Sequence, residues 1–104
     1  MRHSGYIERI KQAILEVAPD AEVILFGSEA RNDTNADSDI DLLILLDGDS
    51  LTWKERAAIM DPLFFLELEL GIMISPIIHT RKEWYNPPFK TPFYINVMNE
   101  GIRL

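Results

Sequence analysis

Apolar residues recur along the chain with two different periods, which predict helices and strands. Between Tyr6 and Val17 they follow the three- and four-residue spacing of a helix with one buried stripe. Glu22–Phe26 and Ile72–Ile78 are short apolar runs typical of strands. Ile40–Leu46 is almost entirely aliphatic, which predicts a central strand covered on both faces. Pro76 lacks the N–H group that a sheet ladder needs, so the third strand is expected at a sheet edge or with a bulge.

The longest helix is predicted between the second and third strands. Thr52 and Glu55 fit a capping box at its start, and Gly71 is a natural residue for its end. Pro62 interrupts this segment, because proline removes a backbone donor and its ring crowds the preceding turn. A kink or two shorter helices, the second capped by Asp61, is therefore expected.

The C-terminal part of the chain contains a predicted loop and a last helix. Residues 84–90, with two consecutive prolines, are predicted as the loop. Thr91 and Pro92 are typical first residues of a helix, which is expected to end at Gly101. The order helix, strand, strand, helix, strand, helix predicts an α/β (α+β) fold, a small mixed sheet flanked by helices, with residues 1–104 as one domain. Clustered aromatic residues here are interpreted as core, or as a partner surface if several are exposed: Trp84, Tyr85, Phe89, Phe93 and Tyr94.

Composition narrows the classes of function. The 104 residues carry a formal net charge of −7 and no cysteine. Disulfides and zinc–thiolate sites are therefore excluded. An acidic chain is also a poor binder of long nucleic acid on its own, because such binding relies on Lys and Arg. No apolar run approaches the roughly 20 residues of a membrane span, and no signal peptide is recognisable. A cytoplasmic protein that does not bind membranes is expected.

Two carboxylates and a Gly-Ser turn form the strongest chemical signal in the chain. Gly27 and Ser28 follow the first strand, a polar loop spans 32–38, and Asp39 and Asp41 open the second strand. Residues two apart on a strand point to the same face, so the two carboxylates are expected side by side. Like charges at this distance repel each other unless a cation lies between them. Oxygen ligands of this kind suit Mg²⁺, and a Gly-Ser turn can hold a phosphate.

The chain resembles the nucleotidyltransferase superfamily that includes polymerase beta. The resemblance is carried by Gly27-Ser28-Glu29-Ala30-Arg31 and Ser38-Asp39-Ile40-Asp41-Leu42. It is closest to the minimal nucleotidyltransferases of the antitoxin type, small proteins often paired with a HEPN-type partner. The resemblance implies a nucleotidyltransferase-like fold that binds Mg²⁺ and a nucleoside triphosphate, with ATP favoured. It also implies transfer of a nucleotidyl group to a hydroxyl, which the net charge places on a partner protein rather than on a long nucleic acid.

The resemblance gives each motif residue a provisional role. Asp39 and Asp41 are the expected metal ligands and catalytic residues. Gly27 and Ser28 are expected to hold the triphosphate, although an ordinary strand-to-helix turn has the same sequence. Arg31 fits either a phosphate contact or an ion pair on a helix surface. The remaining motif serine, Ser38, either orients the first aspartate or caps the turn.

One departure from the family pattern leaves the reaction open. Active members of the superfamily carry a third acid on a later strand, where it accepts the proton of the attacking hydroxyl. The matching strand here, Ile72–Ile78, contains no acid, and Glu67 and Glu69 lie on the helix before it. Three functions therefore stay open: a nucleotidyltransferase, a catalytically weak antitoxin-like module that binds a HEPN-type toxin, and a sensor that binds nucleotide without turnover. The oligomeric state is not predicted.

Overall fold

A computed structural model describes residues 4–31 and 39–104 of the protein. The predicted loop at 32–38, with Ser38, lies outside the described residues. The helices and strands follow in the order α1 (Ser4–Val17), β1 (Glu22–Phe26), α2 (Gly27–Ala30), β2 (Ile40–Leu46), α3 (Trp53–Leu70), β3 (Ile74–Thr80), α4 (Arg81–Tyr85), α5 (Pro92–Glu100) and β4 (Ile102–Arg103). None of these helices combines the length and the apolar character that crossing a membrane requires.

The four described strands form one mixed sheet in the order β3-β2-β1-β4. β2 runs parallel to β3 and antiparallel to β1, and β4 adds two residues to the other side of β1. β2 is therefore a central strand, and Leu42 to Leu45 are fully buried in it. Pro76 lies on β3 at the sheet edge, as predicted, where its missing N–H group costs the ladder least.

Helices cover both faces of the sheet. On one face, α1 and α3 pack against the even-numbered residues of β2, with Ile10, Ile14 and Leu63 among the buried side chains. On the other face, Trp84 of α4 and Val97 of α5 pack against Leu43 and Leu45. This layered α/β arrangement confirms the predicted fold class.

Most predicted elements are confirmed, and three expected boundaries were wrong. α3 continues through Pro62 as one helix, so its division into two helices with Asp61 as a cap was wrong, while a kink at Pro62 stays a prediction. The helix continues because Ile59 and Leu63 on either side of the proline are held in the core, while the carbonyl freed by the proline belongs to exposed Ala58. Part of the predicted loop at 84–90 belongs to α4, which starts with a capping box between Thr80 and Glu83. β3 begins two residues later than expected, at Ile74.

A buried glutamate ties the last elements to β1, at the end of the sheet where β1 begins. Glu22 accepts a hydrogen bond from the Tyr85 hydroxyl at 2.5 Å and contacts Arg103 Nη2 at 3.0 Å and Arg81 Nε at 3.3 Å. Burial alone would raise the pKa of Glu22, but Tyr85, Arg103 and Arg81 outweigh it, so the pKa lies below its ordinary value. Burial and the bond to Glu22 raise the pKa of Tyr85 to about 12. The cluster therefore holds α4 and β4 against β1.

Replacing Glu22 by glutamine is expected to cost about 1–3 kcal/mol of the free energy of unfolding at neutral pH. The figure is well below that of a fully buried ion pair, because both arginines are partly exposed. A lowered folded pKa stabilises the protein above the unfolded value and loses this effect as the pH falls through the folded pKa. The difference in the free energy of unfolding between Glu22→Gln and the unmodified protein should therefore become smaller at acidic pH.

Urea unfolding of both proteins at neutral and at acidic pH measures this difference. Glu16→Gln is the matched control, because Glu16 is exposed on α1. An equal loss of stability in the two variants, or a difference that does not depend on pH, would contradict the assignment of Glu22 as an anchor.

Candidate functional site

The motif residues that the structure describes meet at one end of the sheet, where β1 ends and β2 and β3 begin. The strand register aligns Phe26 of β1 with Asp41 of β2, and Asp41 with Ser75 of β3. Residues aligned in this way point to the same face of a sheet. This face is the one that α5 covers farther along, since the same side of β2 carries Leu43 and Leu45. The sequence motif and part of β3 therefore form one surface.

Asp39 lies close enough to Asp41 to affect the ionisation of Asp41. Both side chains are partly buried. Burial, and then the charge of Asp39, raise the pKa of Asp41 above its ordinary value, while Arg31 acts in the opposite direction. The Ser75 hydroxyl donates a long hydrogen bond of 3.4 Å to Asp39 Oδ2. The structure thus brings together the two predicted carboxylates, whose mutual repulsion a cation would relieve.

Gly27 lies directly against the carboxylate of Asp41. Its φ of 72° lies in the left-handed region that side chains rarely adopt. A Cβ built at this position would overlap Asp41 Oδ2. The backbone conformation therefore favours glycine here, and a side chain at this position would also have to displace the Asp41 carboxylate.

The other residues of the first motif form the short helix α2. Ser28 is half-buried as the second residue of this helix, and Phe26 occupies the N-cap position, where a phenyl ring cannot accept a hydrogen bond. Arg31 follows α2 and pairs with Glu100 of α5, with Nη1 and Oε2 3.2 Å apart. It also lowers the pKa of Asp41. Both interpretations of Arg31, as an ion-pair residue and as a cation beside the site, are thus compatible with its position.

The residue on β3 beside the two carboxylates is Ser75, and the sequence did not single it out. It became identifiable only through the parallel register between β2 and β3, because it is the residue aligned with Asp41. The two helix acids are engaged elsewhere. Glu67 Oε1 accepts from the Ile74 backbone N–H at 2.7 Å, and Glu69 receives two hydrogen bonds from Arg9 at 2.9 and 3.0 Å. Ser75 therefore brings a hydroxyl, and not a carboxylate, beside the two aspartates on this strand.

A cleft of about 200 Å³ opens beside Gly27, between the end of β1 and α5. Its walls include Phe26, Phe93 and Asn96, and the Arg31–Glu100 pair borders it. The two phenyl rings meet edge to face, with their centroids 5.6 Å apart. An aromatic wall with amide and charged groups at its border is suited to a flat heterocycle that carries polar edges.

The described part of the chain offers two neighbouring carboxylates, Asp39 and Asp41, as ligands for a metal ion. No cluster of three or more His, Asp or Glu side chains suited to a metal occurs within residues 4–31 and 39–104. The donor set is the Asp39–Asp41 pair, which matches the one or two carboxylates that typically hold Mg²⁺ together with water and phosphate oxygens. The residues present therefore fit a magnesium ion that is shared with a phosphorylated ligand.

Comparisons with known proteins identify the family of this chain. The family model described as "Nucleotidyltransferase domain" matches residues 7–103. A protein of Methanocaldococcus jannaschii named "Putative protein adenylyltransferase MJ0141" is 37% identical over 100 residues, which cover 94% of both chains. A second one, "Putative protein adenylyltransferase MJ0604", is 36% identical over 77% of this chain and 73% of its own length.

A solved structure shares the fold. It is described as "Crystal structure of the toxin-antitoxin with AMP-PNP" and matches with a TM-score of 0.63 at 20% sequence identity. The match covers 92% of this chain and 69% of the other. At this level of identity the likeness concerns the fold.

Proposed function

Because the chain belongs to the nucleotidyltransferase domain family, we propose that it binds a nucleoside triphosphate with Mg²⁺ at the Asp39–Asp41 pair. The reaction is transfer of the nucleotidyl group to a hydroxyl. The hydroxyl oxygen bonds to the α-phosphorus, the bond from that phosphorus to pyrophosphate breaks, and the hydroxyl proton passes to a base. The observation that carries this proposal is the convergence of two carboxylates, Gly27 and Ser75 at one end of the sheet.

Each residue of the site has a role in this proposal. Asp39 and Asp41 hold Mg²⁺, which offsets negative charge on the phosphates. Gly27 lets the backbone approach the triphosphate closely, and Ser28 offers its hydroxyl and backbone N–H. Arg31 is close enough to Asp41 to add positive charge beside the phosphates. Ser38 lies outside the described residues, and its part in nucleotide binding stays a prediction from the motif.

ATP is the proposed nucleotide, and a protein side chain is the proposed acceptor. Both relatives from M. jannaschii carry names of protein adenylyltransferases, and the similar fold comes from a toxin–antitoxin structure with AMP-PNP. The net charge of −7 also disfavours a long nucleic acid as acceptor. A HEPN-type toxin would supply the acceptor hydroxyl.

The cleft beside Gly27 is the proposed binding site of the adenine ring of ATP. Replacing Phe93 by leucine should raise KM for ATP about tenfold, because base–aromatic stacking contributes about 1–3 kcal/mol. The change in kcat should be small, since the ring contacts a part of the substrate that does not react. Steady-state kinetics measure the two constants. Phe89→Leu is the control, because Phe89 is exposed and does not line this cleft. An unchanged KM for ATP in a folded Phe93→Leu variant would show that the adenine ring binds elsewhere.

The proposal is tested by incubating the protein with Mg²⁺ and ATP labelled at the α-phosphate, alone and with a candidate HEPN-type partner. When the partner is present, label should appear on the partner. When the chain is incubated alone, it should become labelled slowly or not at all. Melting curves with and without Mg²⁺-ATP test binding separately, because a ligand of the folded state raises the melting temperature. The shift should vanish in Asp39→Asn/Asp41→Asn. Absence of both label and shift would refute the proposal.

A second function, nucleotide binding with little or no turnover, is favoured by Ser75. A serine cannot accept the proton as a carboxylate does. An antitoxin-like module or a nucleotide sensor needs only the groups that bind the nucleotide and the metal, and no proton acceptor. A clear melting shift with Mg²⁺-ATP, combined with no label transfer under any condition, would support this second function.

A further inference from the structure

Helix α3 carries two apolar stripes, and the core covers one of them. Ile59, Leu63 and Leu66 are buried against the sheet and α1. Because a helix turns once in about 3.6 residues, a second set at intervals of four, three, four and four residues lies along another side. We call this set the outer stripe: Trp53, Ala57, Met60, Phe64 and Leu68. A helix that is apolar on several sides normally has a partner on each of them.

The outer stripe is large for a surface that faces water. Trp53 is 74% exposed, Phe64 55% and Leu68 67%. Phe65 flanks the stripe, 66% exposed, with its ring 5.9 Å from that of Phe64. An aromatic side chain buries about 150–250 Å² when fully covered, so the exposed fractions of Trp53, Phe64 and Phe65 together offer roughly 300–500 Å². That area is comparable with the largest apolar patch of a typical monomer, and such patches often mark interaction sites.

We propose that the outer stripe joins two copies of this chain, with the two α3 helices antiparallel about a two-fold axis near Met60. In this register Trp53 of each copy lies opposite Leu68 of the other, and Ala57 lies opposite Phe64. A small residue opposite a large one lets the side chains interdigitate, as packed helices require. The same surface thus serves both copies, which is the condition for a closed dimer.

The helix dipoles favour the antiparallel arrangement. The positive end of the α3 dipole lies at its start, beside Trp53, and the negative end lies at its last turn, which carries no basic residue. An antiparallel pair places the positive end of each helix beside the negative end of the other. A parallel pair would place like ends of the two dipoles side by side.

The proposed dimer leaves the candidate site open. α3 lies on the face of the sheet opposite Asp41, whose side is shared with Leu43 and covered by α5. The dimer and the proposed reaction can therefore succeed or fail independently.

The test uses the absence of cysteine from the chain. Met60→Cys places one thiol per copy next to the axis, where the two can form a disulfide. Trp53→Cys places the thiols about 22 Å apart along the helices, from a rise of about 1.5 Å per residue. That is well beyond the reach of a disulfide. Under oxidation, Met60→Cys should yield a covalent dimer and Trp53→Cys should not.

Analytical ultracentrifugation of the unmodified protein over a concentration series supplies the second readout. Phe64→Glu should weaken the dimer at least about tenfold, the change expected when a central aromatic contact is lost. Phe89→Glu is the matched control, because Phe89 is also largely exposed but follows α4, away from α3. Circular dichroism checks that both variants are folded.

Three results would overturn the proposal. The first is a monomer at every concentration, even if another protein then binds the outer stripe. The second is a disulfide formed equally at positions 53 and 60, since this pattern requires parallel helices. The third is a dimer that Phe64→Glu leaves unchanged, which would place the interface on another surface.

Discussion

Replacing Asp41 by asparagine is expected to lower nucleotidyl transfer at least about 10³-fold, because losing several kcal/mol of charge stabilisation has this effect on a rate. The same change should raise the thermal stability of the metal-free protein. Asp41 is partly buried beside Asp39, and its raised pKa means that its charge opposes folding at neutral pH. Asparagine keeps the shape and removes the charge. Activity and stability should therefore move in opposite directions.

Label transfer and melting temperature, measured on one preparation, check this pair of effects. Asp49→Asn is the control: Asp49 follows β2 at the other end of the strand, and its pair with Lys82 is exposed on both sides. It should change neither quantity appreciably. If Asp41→Asn were inactive and also less stable than the unmodified protein, misfolding would explain the loss and the assignment of a catalytic role would fail.

Replacing Ser75 by aspartate is expected to accelerate transfer by up to about 10²–10⁴-fold, the usual contribution of a positioned general base. Ser75 is aligned with Asp41 and its hydroxyl already reaches Asp39, so a carboxylate on this side chain would join the other two. Three carboxylates repel more strongly than two. The variant should therefore melt at a lower temperature without Mg²⁺ and gain more than the unmodified protein when Mg²⁺ is added.

Ser75→Asn is the control for Ser75→Asp, because it adds nearly the same volume without a charge. It should show neither the faster transfer nor the larger response to Mg²⁺. Rates are measured with and without the candidate partner, since a partner could position the acceptor hydroxyl. A Ser75→Asp variant that folds, binds Mg²⁺-ATP and still transfers no faster would show that the missing acid does not limit the reaction.

Long periodic segments made most of the fold predictable. α1, β1 and β2 each have a single apolar pattern, and the caps of α3 and α5 can be recognised from Thr and Gly or Pro at fixed positions. The capping box of α4 was also present, as Thr80 and Glu83, but the proline-rich sequence after it favoured a loop. β4 could not be predicted, because two residues have no periodicity and become a strand only by pairing with Leu25 and Ile24.

The candidate site was predictable where its residues are neighbours in sequence. The two-residue spacing of Asp39 and Asp41 predicted that their carboxylates lie close together, and Gly27 precedes them in a recognisable turn. Ser75 of β3 and Phe93 of α5 lie in the same region. In the sequence α3 separates Ser75 from the motif, and α3, β3 and α4 separate Phe93 from it. Their positions depend on the strand register and helix packing, which no local pattern encodes.

The contact between Gly27 and Asp41 affects which residues related chains can carry at these two positions. A side chain at 27 would enter the space that the Asp41 carboxylate fills, and the left-handed backbone disfavours a side chain there whatever residue stands at 41. Relatives that lose the acid at 41 should therefore still keep glycine at 27, whereas relatives that keep the acid should rarely carry a bulkier residue at 27. Glycine at 27 alone would then not mark a lineage that still uses the site, but an aspartate at 41 would.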